Sequence, residues 1–265
     1  MKNTSRACSA IVLAADRNPA DAVAVAAGVQ CKALAPVAGV PMIRRVVQAL
    51  QSTDAIDRIT LVGPARNLLC SEAEIEYLLS AGELDWIENA SSPSASAARA
   101  LSGGNTQQPV LLTTADHALL DPAMLNYFLE QALESGCDFI VGVARLETVL
   151  ARFPDTRRTA ARLRGGPYCG CNLFVFVTER GRQLAHFWRN VEQERKRPWR
   201  VIAGALGGGA VIRYACGRLT LEQALERLSD KLGIKIGAVV LPFAEAAVDV
   251  DTPADLLLVE KILAT

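Results

Sequence analysis

The sequence predicts an α/β fold: three layers, α/β/α, around a mostly parallel sheet. Three observations predict it. A short, wholly apolar run with β-branched members at residues 10–13 and mainly apolar runs at 58–62, 110–113 and 138–143 suit strands buried in a sheet. Stretches with apolar residues at helical spacing separate them. The first and third strands run into small or polar loop residues, and carboxyl ends are where open α/β sheets place their sites.

The elements follow in order. The strand at 10–13 ends in Ala14-Ala15-Asp16-Arg17-Asn18-Pro19, a loop leading to Cys31-Lys32-Ala33-Leu34 and Pro36-Val37-Ala38-Gly39-Val40-Pro41-Met42. A helix follows with Ile43, Val46, Val47 and Leu50 on one face and Arg44 and Arg45 outward. Pro41 suits its first turn, where a missing N–H costs nothing. Residues 58–62 read as strand, Gly63-Pro64 as turn, 72–80 as a short helix and 84–88 as strand. Ser92-Pro93-Ser94 favours a capped helix N-terminus running to Leu101. The strand at 110–113 enters the Asp116 loop, a helix spans 122–135, and 138–143 is the next strand.

From Arg145 the pattern changes to arginines and turn formers. A strand is expected at 172–177, entered from Tyr168-Cys169-Gly170-Cys171. A helix is expected over 181–195, with Leu184, Phe187, Trp188 and Val191 on one face, then a basic turn at 195–200. Segments 201–206, 211–216 and 221–232 read as helical, broken by Gly207-Gly208-Gly209, and Thr220 with Gln223 forms a capping box. Strands are expected at 236–241 and 247–250, and Thr252-Pro253 opens a closing helix to about Leu263. The whole reads as one domain, 1–265, with a helical insertion at 146–235.

Two stretches carry carboxylates at expected strand ends. Asp116 lies just past a buried strand, where a charge needs a partner, although Asp121-Pro122 close by also suits a turn or cap. Asp249 and Asp251 alternate onto one face of the last expected strand, and Asp251 could equally cap the closing helix. Lys32 stands beside the first loop, where a lone lysine is otherwise most often a surface residue.

Leu13-Ala14-Ala15, the Lys32-Ala33-Leu34-x-Pro36-Val37-Ala38-Gly39 run, Thr113-Thr114-Ala115-Asp116 and Val250-Asp251-Thr252-Pro253-x-Asp255-Leu256 together resemble the MobA-like NTP transferases, nucleotidyltransferases of the GT-A-like α/β fold. The resemblance spans roughly residues 8–145 and 236–263. It implies transfer of a nucleoside monophosphate from an NTP to a phosphorylated small-molecule acceptor, with release of pyrophosphate. It implies Mg²⁺ (or Mn²⁺) held by Asp116 and Asp251, with Asp249 in support and Lys32 neutralising the phosphates, these three of Lys32, Asp116 and Asp251 being the catalytic set. Nucleotide contacts are implied from Leu13, Ala14, Ala15, Asp16, Arg17, Lys32, Ser94 and Ser96, the serines serving equally well as helix caps. Two carboxylates with phosphate and water suffice for Mg²⁺. Arg157, Arg158 and Asn172 are candidates for acceptor binding, against the commoner role of arginine runs as a solvated face. His117 reads as local structure.

The chain departs from the family in its first loop, which has no glycine until Gly28, with Asp16 where the first glycine usually stands. A non-catalytic nucleotide-sensing protein and a GT-A glycosyltransferase are therefore the rival readings, the latter opposed by the lone Asp116 and by Lys32. Lys plus Arg equals Asp plus Glu at 28 each, so no global basic field speaks for nucleic acid. No apolar run reaches the ~18 residues of a membrane helix, and no signal peptide is visible. Seven cysteines at irregular spacing read as reduced thiols in a cytoplasmic protein.

Overall fold

The computed structural model describes residues 7–16, 20–103, 108–185, 187–188 and 208–264, with the backbone alone at 208 and 210–212. The first strand, β1 (Cys8–Leu13), leads through α1 (Ala22–Ala27) and a 3-10 turn, Lys32–Leu34, to the small hairpin β2 (Pro36–Val37) and β3 (Val40–Pro41). Then come α2 (Met42–Gln51), β4 (Ile56–Val62), α3 (Arg66–Leu69), α4 (Ala73–Ala81), β5 (Asp85–Ile87), α5 (Pro93–Ser102), β6 (Val110–Thr114), α6 (Pro122–Glu134) and β7 (Phe139–Arg145). The remainder comprises α7 (Leu146–Arg152), β8 (Ala160–Leu163), β9 (Gly166–Phe176), α8 (Glu179–Arg182), α9 (Gly208–Ala215), α10 (Leu221–Leu232), β10 (Ile236–Leu241) and α11 (Pro253–Leu263).

The sheet runs β10-β7-β9-β6-β1-β4-β5, with β8 paired to β9 outside this path. β1 is parallel to β4 and β6, β4 to β5, and β7 to β10, while β9 lies antiparallel between β6 and β7. Leu13 is level with Val62 on one side and Thr114 on the other. Three strand ends therefore open onto one edge.

The period of two explains the three layers. Ala10 and Val12 of β1 face a core shared with Ile43, Val46, Val47 and Leu50 of α2 and with Leu125, Phe128 and Leu129 of α6. Ile11 faces the other way, onto Ala97, Ala98 and Leu101 of α5, with Leu225, Leu228 and Leu232 of α10 packed against that second core. A strand sandwiched in this way must be apolar at every position.

Four expectations change. The segment at 146–235 supplies helices, but also β8 and β9, and β9 sits in the middle of the sheet. Its first residues, Gly166–Cys171, where turn formers and then an approach at 168–171 were expected, are strand, because they form a hairpin with β8 and pair on the other side with the more distant β7. The expected strand at 247–250 is a 3-10 turn, Glu245–Ala247, and an extended link. Val248 N–H bonds Glu245 O and Val250 N–H donates to Asp116 O at 3.0 Å, so this backbone is satisfied without a neighbouring strand. Within the long first loop, Asp21 caps the short α1 by accepting from Val23 and Ala24 N–H, and Gly28 closes it in the left-handed conformation. Gly208 and Gly209 belong to α9, while Gly207 lies outside the described residues. The basic run 195–200, the segment 201–206 and the later part of the expected 181–195 helix lie outside the described residues.

Candidate active site

A cleft of about 750 Å³ opens at the carboxyl edge of β1, β4 and β6. The end of β1 brings Leu13, Ala14, Ala15 and Asp16 to it, β6 brings Thr114 and Asp116, and the N-terminus of α5 brings Ser94 and Ser96. Asn172 and Phe174 of β9, Trp188, Lys32 and Asp251 also line it. At β4 the lining residue is Val62, and Gly63 behind it packs closely on the end of β1. Gly63 has φ +66°, and a Cβ there would stand 2.7 Å from the Ala15 Cβ. Only glycine combines that conformation with that approach.

Three distant segments meet at one lysine. Lys32 Nζ lies 2.6 Å from Asp116 Oδ2 and 3.3 Å from Asp251 Oδ1. The lysine and Asp116 side chains are 16% and 15% exposed, whereas Asp251 is 67% exposed. Asp116 is oriented by Thr114, whose Oγ1 donates to Oδ1 at 2.5 Å. Burial alone would lower the Lys32 pKa, but the two carboxylates outweigh it and hold the ammonium above its ordinary value. Lys32 is a fixed positive charge at neutral pH.

Asp16 occupies the place expected of a glycine. Its two carboxylate oxygens accept from the Lys32 backbone N–H at 3.1 and 2.9 Å, at the start of the 3-10 turn. An amide of the kind that phosphate loops offer to a ligand is thus taken internally. Burial raises the Asp16 pKa against that hydrogen bond. Cys31 beside it is pushed up to about 12, chiefly by burial and then by Asp16, and is an unreactive thiol.

Asp249 forms a second node. Arg158 Nη1 donates to its Oδ1 at 2.9 Å and to its backbone oxygen at 3.1 Å, and Asn172 Nδ2 donates to Oδ2 at 3.0 Å. Arg158 Nη2 also reaches Asp255 Oδ1 at 2.8 Å. Burial, then Asp251 and Asp116, push Asp249 up to about 6, with Arg158 pulling the other way. Four carboxylates, Asp116, Asp249, Asp251 and Asp255, thus crowd against two cations, Lys32 and Arg158. The donor set fits a hard divalent ion: carboxylate oxygens from Asp116 and Asp251, both reached by one ammonium, with negative charge in excess. Among the described residues no three His, Cys, Asp or Glu converge as a protein-only cage. Mg²⁺ needs none, since it takes one or two carboxylates with phosphate and water.

These observations locate the residues singled out in the sequence. Leu13, Ala14, Ala15, Asp16, Lys32, Ser94, Ser96, Asp116, Asn172 and Asp251 all line the cleft. Arg17 lies outside the described residues. Ser92 caps α5 and Ser96 Oγ accepts from Ala90 N–H at 2.9 Å, so local structure accounts for much of that serine cluster. Arg157 is exposed and does not line the cleft. Arg158, expected to receive an acceptor, is instead engaged at all three nitrogens, with Thr156 Oγ1 accepting from Nε. Asp249 and Asp251 do not share a strand face, because no strand forms there.

A family model describing the MobA-like NTP transferase domain matches residues 10–193. The chain belongs to the MobA-like NTP transferase family. The match continues past residue 145 through β9 and ends at residue 193, so in this MobA-like chain residues 146–193 of the middle segment fall within the family domain. A hypothetical transferase from Thermus thermophilus is 31% identical, covers 94% of this chain and 99% of its own, and superposes with a TM-score of 0.77. A 4-diphosphocytidyl-2C-methyl-D-erythritol synthase from Anaerococcus prevotii is 11% identical, with coverage of 98% and 97% and a TM-score of 0.57. A CMP:2-keto-3-deoxy-manno-octonic acid synthetase complexed with CTP is 13% identical, with coverage of 97% and 98% and a TM-score of 0.54. The last two show the fold alone. No curated protein matches the chain.

The sequence reading missed Thr114 as the orienter of Asp116, Phe174 and Trp188 as cleft walls, and the role of Arg158. A signal existed only for the first, a threonine two residues before the aspartate. The others depend on the path of β9 across the sheet.

Proposed function

We propose that this MobA-like protein is an NTP-dependent nucleotidyltransferase that uses Mg²⁺ and a phosphorylated small-molecule acceptor. The observation that carries the reading is the convergence of Lys32, Asp116 and Asp251 from three distant segments on one cleft at the sheet's carboxyl edge. An acceptor phosphate oxygen attacks the α-phosphorus and forms a new P–O bond. The bond from the α-phosphorus to the α–β bridging oxygen breaks, and pyrophosphate leaves with the electron pair. Asp116 and Asp251 would hold Mg²⁺, which when bound neutralises phosphate charge. Lys32 supplies a second, preorganised positive charge toward the phosphates. The walls from Leu13 to Asp16 and from Ser94 to Ser96 orient the nucleotide. A phosphate nucleophile needs no protein base, so positioning and charge are the protein's main contributions.

The seven cysteines are free thiols, which supports a reducing, cytoplasmic setting. Among the described residues no helix is long and apolar enough to cross a membrane.

The test is calorimetry with each of the four NTPs and Mg²⁺, followed by pyrophosphate release with a panel of phosphorylated acceptors. Binding with release supports the transferase. One observation favours a second reading, a non-catalytic nucleotide-binding protein: Asp16 places a carboxylate on an amide that a phosphate would otherwise use. Binding without pyrophosphate across the panel would favour it. Binding of no NTP, with or without metal, overturns both.

A further inference from the structure

Asp251 lines the cleft with little support of its own. Its side chain is 67% exposed, and among the described residues its carboxylate meets the rest of the site through one polar contact, the 3.3 Å approach of Lys32. Its place is therefore inherited from its neighbours, and both neighbours lead to one side chain. On one side, Asp249 has both carboxylate oxygens and its backbone oxygen occupied, Oδ1 and the backbone oxygen by Arg158 and Oδ2 by Asn172. On the other, Thr252 N–H and Oγ1 donate to Asp255 Oδ2 at 2.9 and 2.7 Å, and Asp255 Oδ1 accepts from Arg158. The two hands of one guanidinium hold the turn before and after Asp251. Val250 N–H then ties the same turn to the Asp116 backbone oxygen.

The fold prepares this contact. Arg158 is 7% exposed and lies between α7 and β8, far from the turn in sequence. Asn172 sits in a bulge of β9, where Val141 and Val143 of β7 pair with Phe174 and Gly170, and its φ of +49° is left-handed. Bulges of this kind re-aim a side chain, and asparagine tolerates the conformation better than most. A planar fork suits two carboxylates at once. A lysine offers a compact point charge and cannot span them in the same way.

We propose that Arg158 is a positioning residue that, through Asp249 and Asp255, sets the 249–252 turn and thereby the reach of Asp251 toward Lys32 and Asp116. Its consequence for metal binding rests on the transferase reading; the clamp itself does not. Outer partners that orient metal-binding carboxylates typically affect affinity by about 10–100-fold when lost.

The experiment compares wild type with Arg158→Lys and Arg158→Gln, and with Thr220→Ala, a control that weakens a helix cap remote from the cleft. Mn²⁺ affinity is read by the free-ion resonance signal, with Mn²⁺ alone and with Mn²⁺ plus NTP. Amide hydrogen exchange is read over 249–252. Expected are faster exchange confined to that turn and a Mn²⁺ affinity about tenfold or more weaker in both Arg158 variants, with neither change in the control. Wild-type affinity in the Arg158 variants, or a loss matched by the control, overturns the proposal. If wild type binds no Mn²⁺ with any NTP, the transferase reading fails, and the exchange measurement alone judges the clamp: unchanged exchange overturns it, while faster exchange upholds it.

Discussion

At the scale of single residues, Lys32 holds together two carboxylates that would otherwise repel. Asp116→Asn and Asp251→Asn should each abolish Mg²⁺-dependent NTP binding while circular dichroism and thermal unfolding stay close to wild type. Wild-type affinity by calorimetry in both variants would dismiss the metal site. Lys32→Ala should lower kcat by about 10²–10³ with a smaller effect on KM, the usual scale for removing a preorganised charge from a transition state. An unchanged kcat would make Lys32 a structural ion-pair partner. His117 yields a pH prediction. It is 1% exposed, and burial, outweighing Asp116 and Asp121, lowers it from 6.5 to about 4. The unfolded chain therefore binds the proton more tightly. This contribution to stability is whole above pH 6.5 and is lost as pH falls toward about 4. The full loss is of the order of 3 kcal/mol. Denaturant unfolding between pH 7 and 4 should show a shallower decline for His117→Leu than for wild type, and parallel curves would refute the assignment.

At the scale of elements, local chemistry and long-range pairing separate cleanly. The helices α10 and α11 begin with complete capping boxes, Thr220 with Gln223 and Thr252 with Asp255; the first reads as a box from neighbouring residues, the second only as a helix start at Thr252-Pro253. Thr220→Ala should cost about 1 kcal/mol, which corresponds to roughly 2–4 °C in Tm for a chain of this size. NTP binding should be unaffected, and an undiminished Tm would show the cap to be dispensable. The turn after β4 is more exacting. Gly63→Ala imposes a left-handed alanine, which costs about 1–2 kcal/mol, and its Cβ would press on Ala15 in the cleft wall. Lower stability together with weaker NTP binding is expected. Wild-type calorimetry would show that the loop yields freely. β9 was half legible: residues 172–176 carry the apolar signature of a buried strand, while 166–171 become strand because β7 and β8 are there to pair with them.

At the scale of the whole molecule, ligand binding should be visible as stability. An NTP with Mg²⁺ at about 100 Kd adds roughly 2.7 kcal/mol, several degrees in Tm for a domain of this size. A flat melting temperature across all four nucleotides would deny the cleft its ligand. Much of the architecture could be read in advance because burial on both sheet faces forces apolar strands, and amphipathic helices must cover them. Lys32, Asp116 and Asp251 also stand out in the sequence, each carried by a short motif at a strand end or turn, and the fold brings them to one cleft. Other features had no local signature. The antiparallel placement of β9, the tie of Val250 N–H to the Asp116 backbone oxygen in place of a strand, and the engagement of Arg158 by Asp249 and Asp255 all depend on partners distant in the chain. Asp16 belongs with them: its residue type announced a departure from a glycine loop, but only the fold brought the Lys32 amide to its carboxylate. Sequence by itself determined which residues must be buried, where helices start and which strand ends carry charge, because each follows from neighbouring chemistry. The tertiary structure alone decided which charge meets which, since an ion pair's partner is chosen by distance in space and leaves no periodicity in the chain.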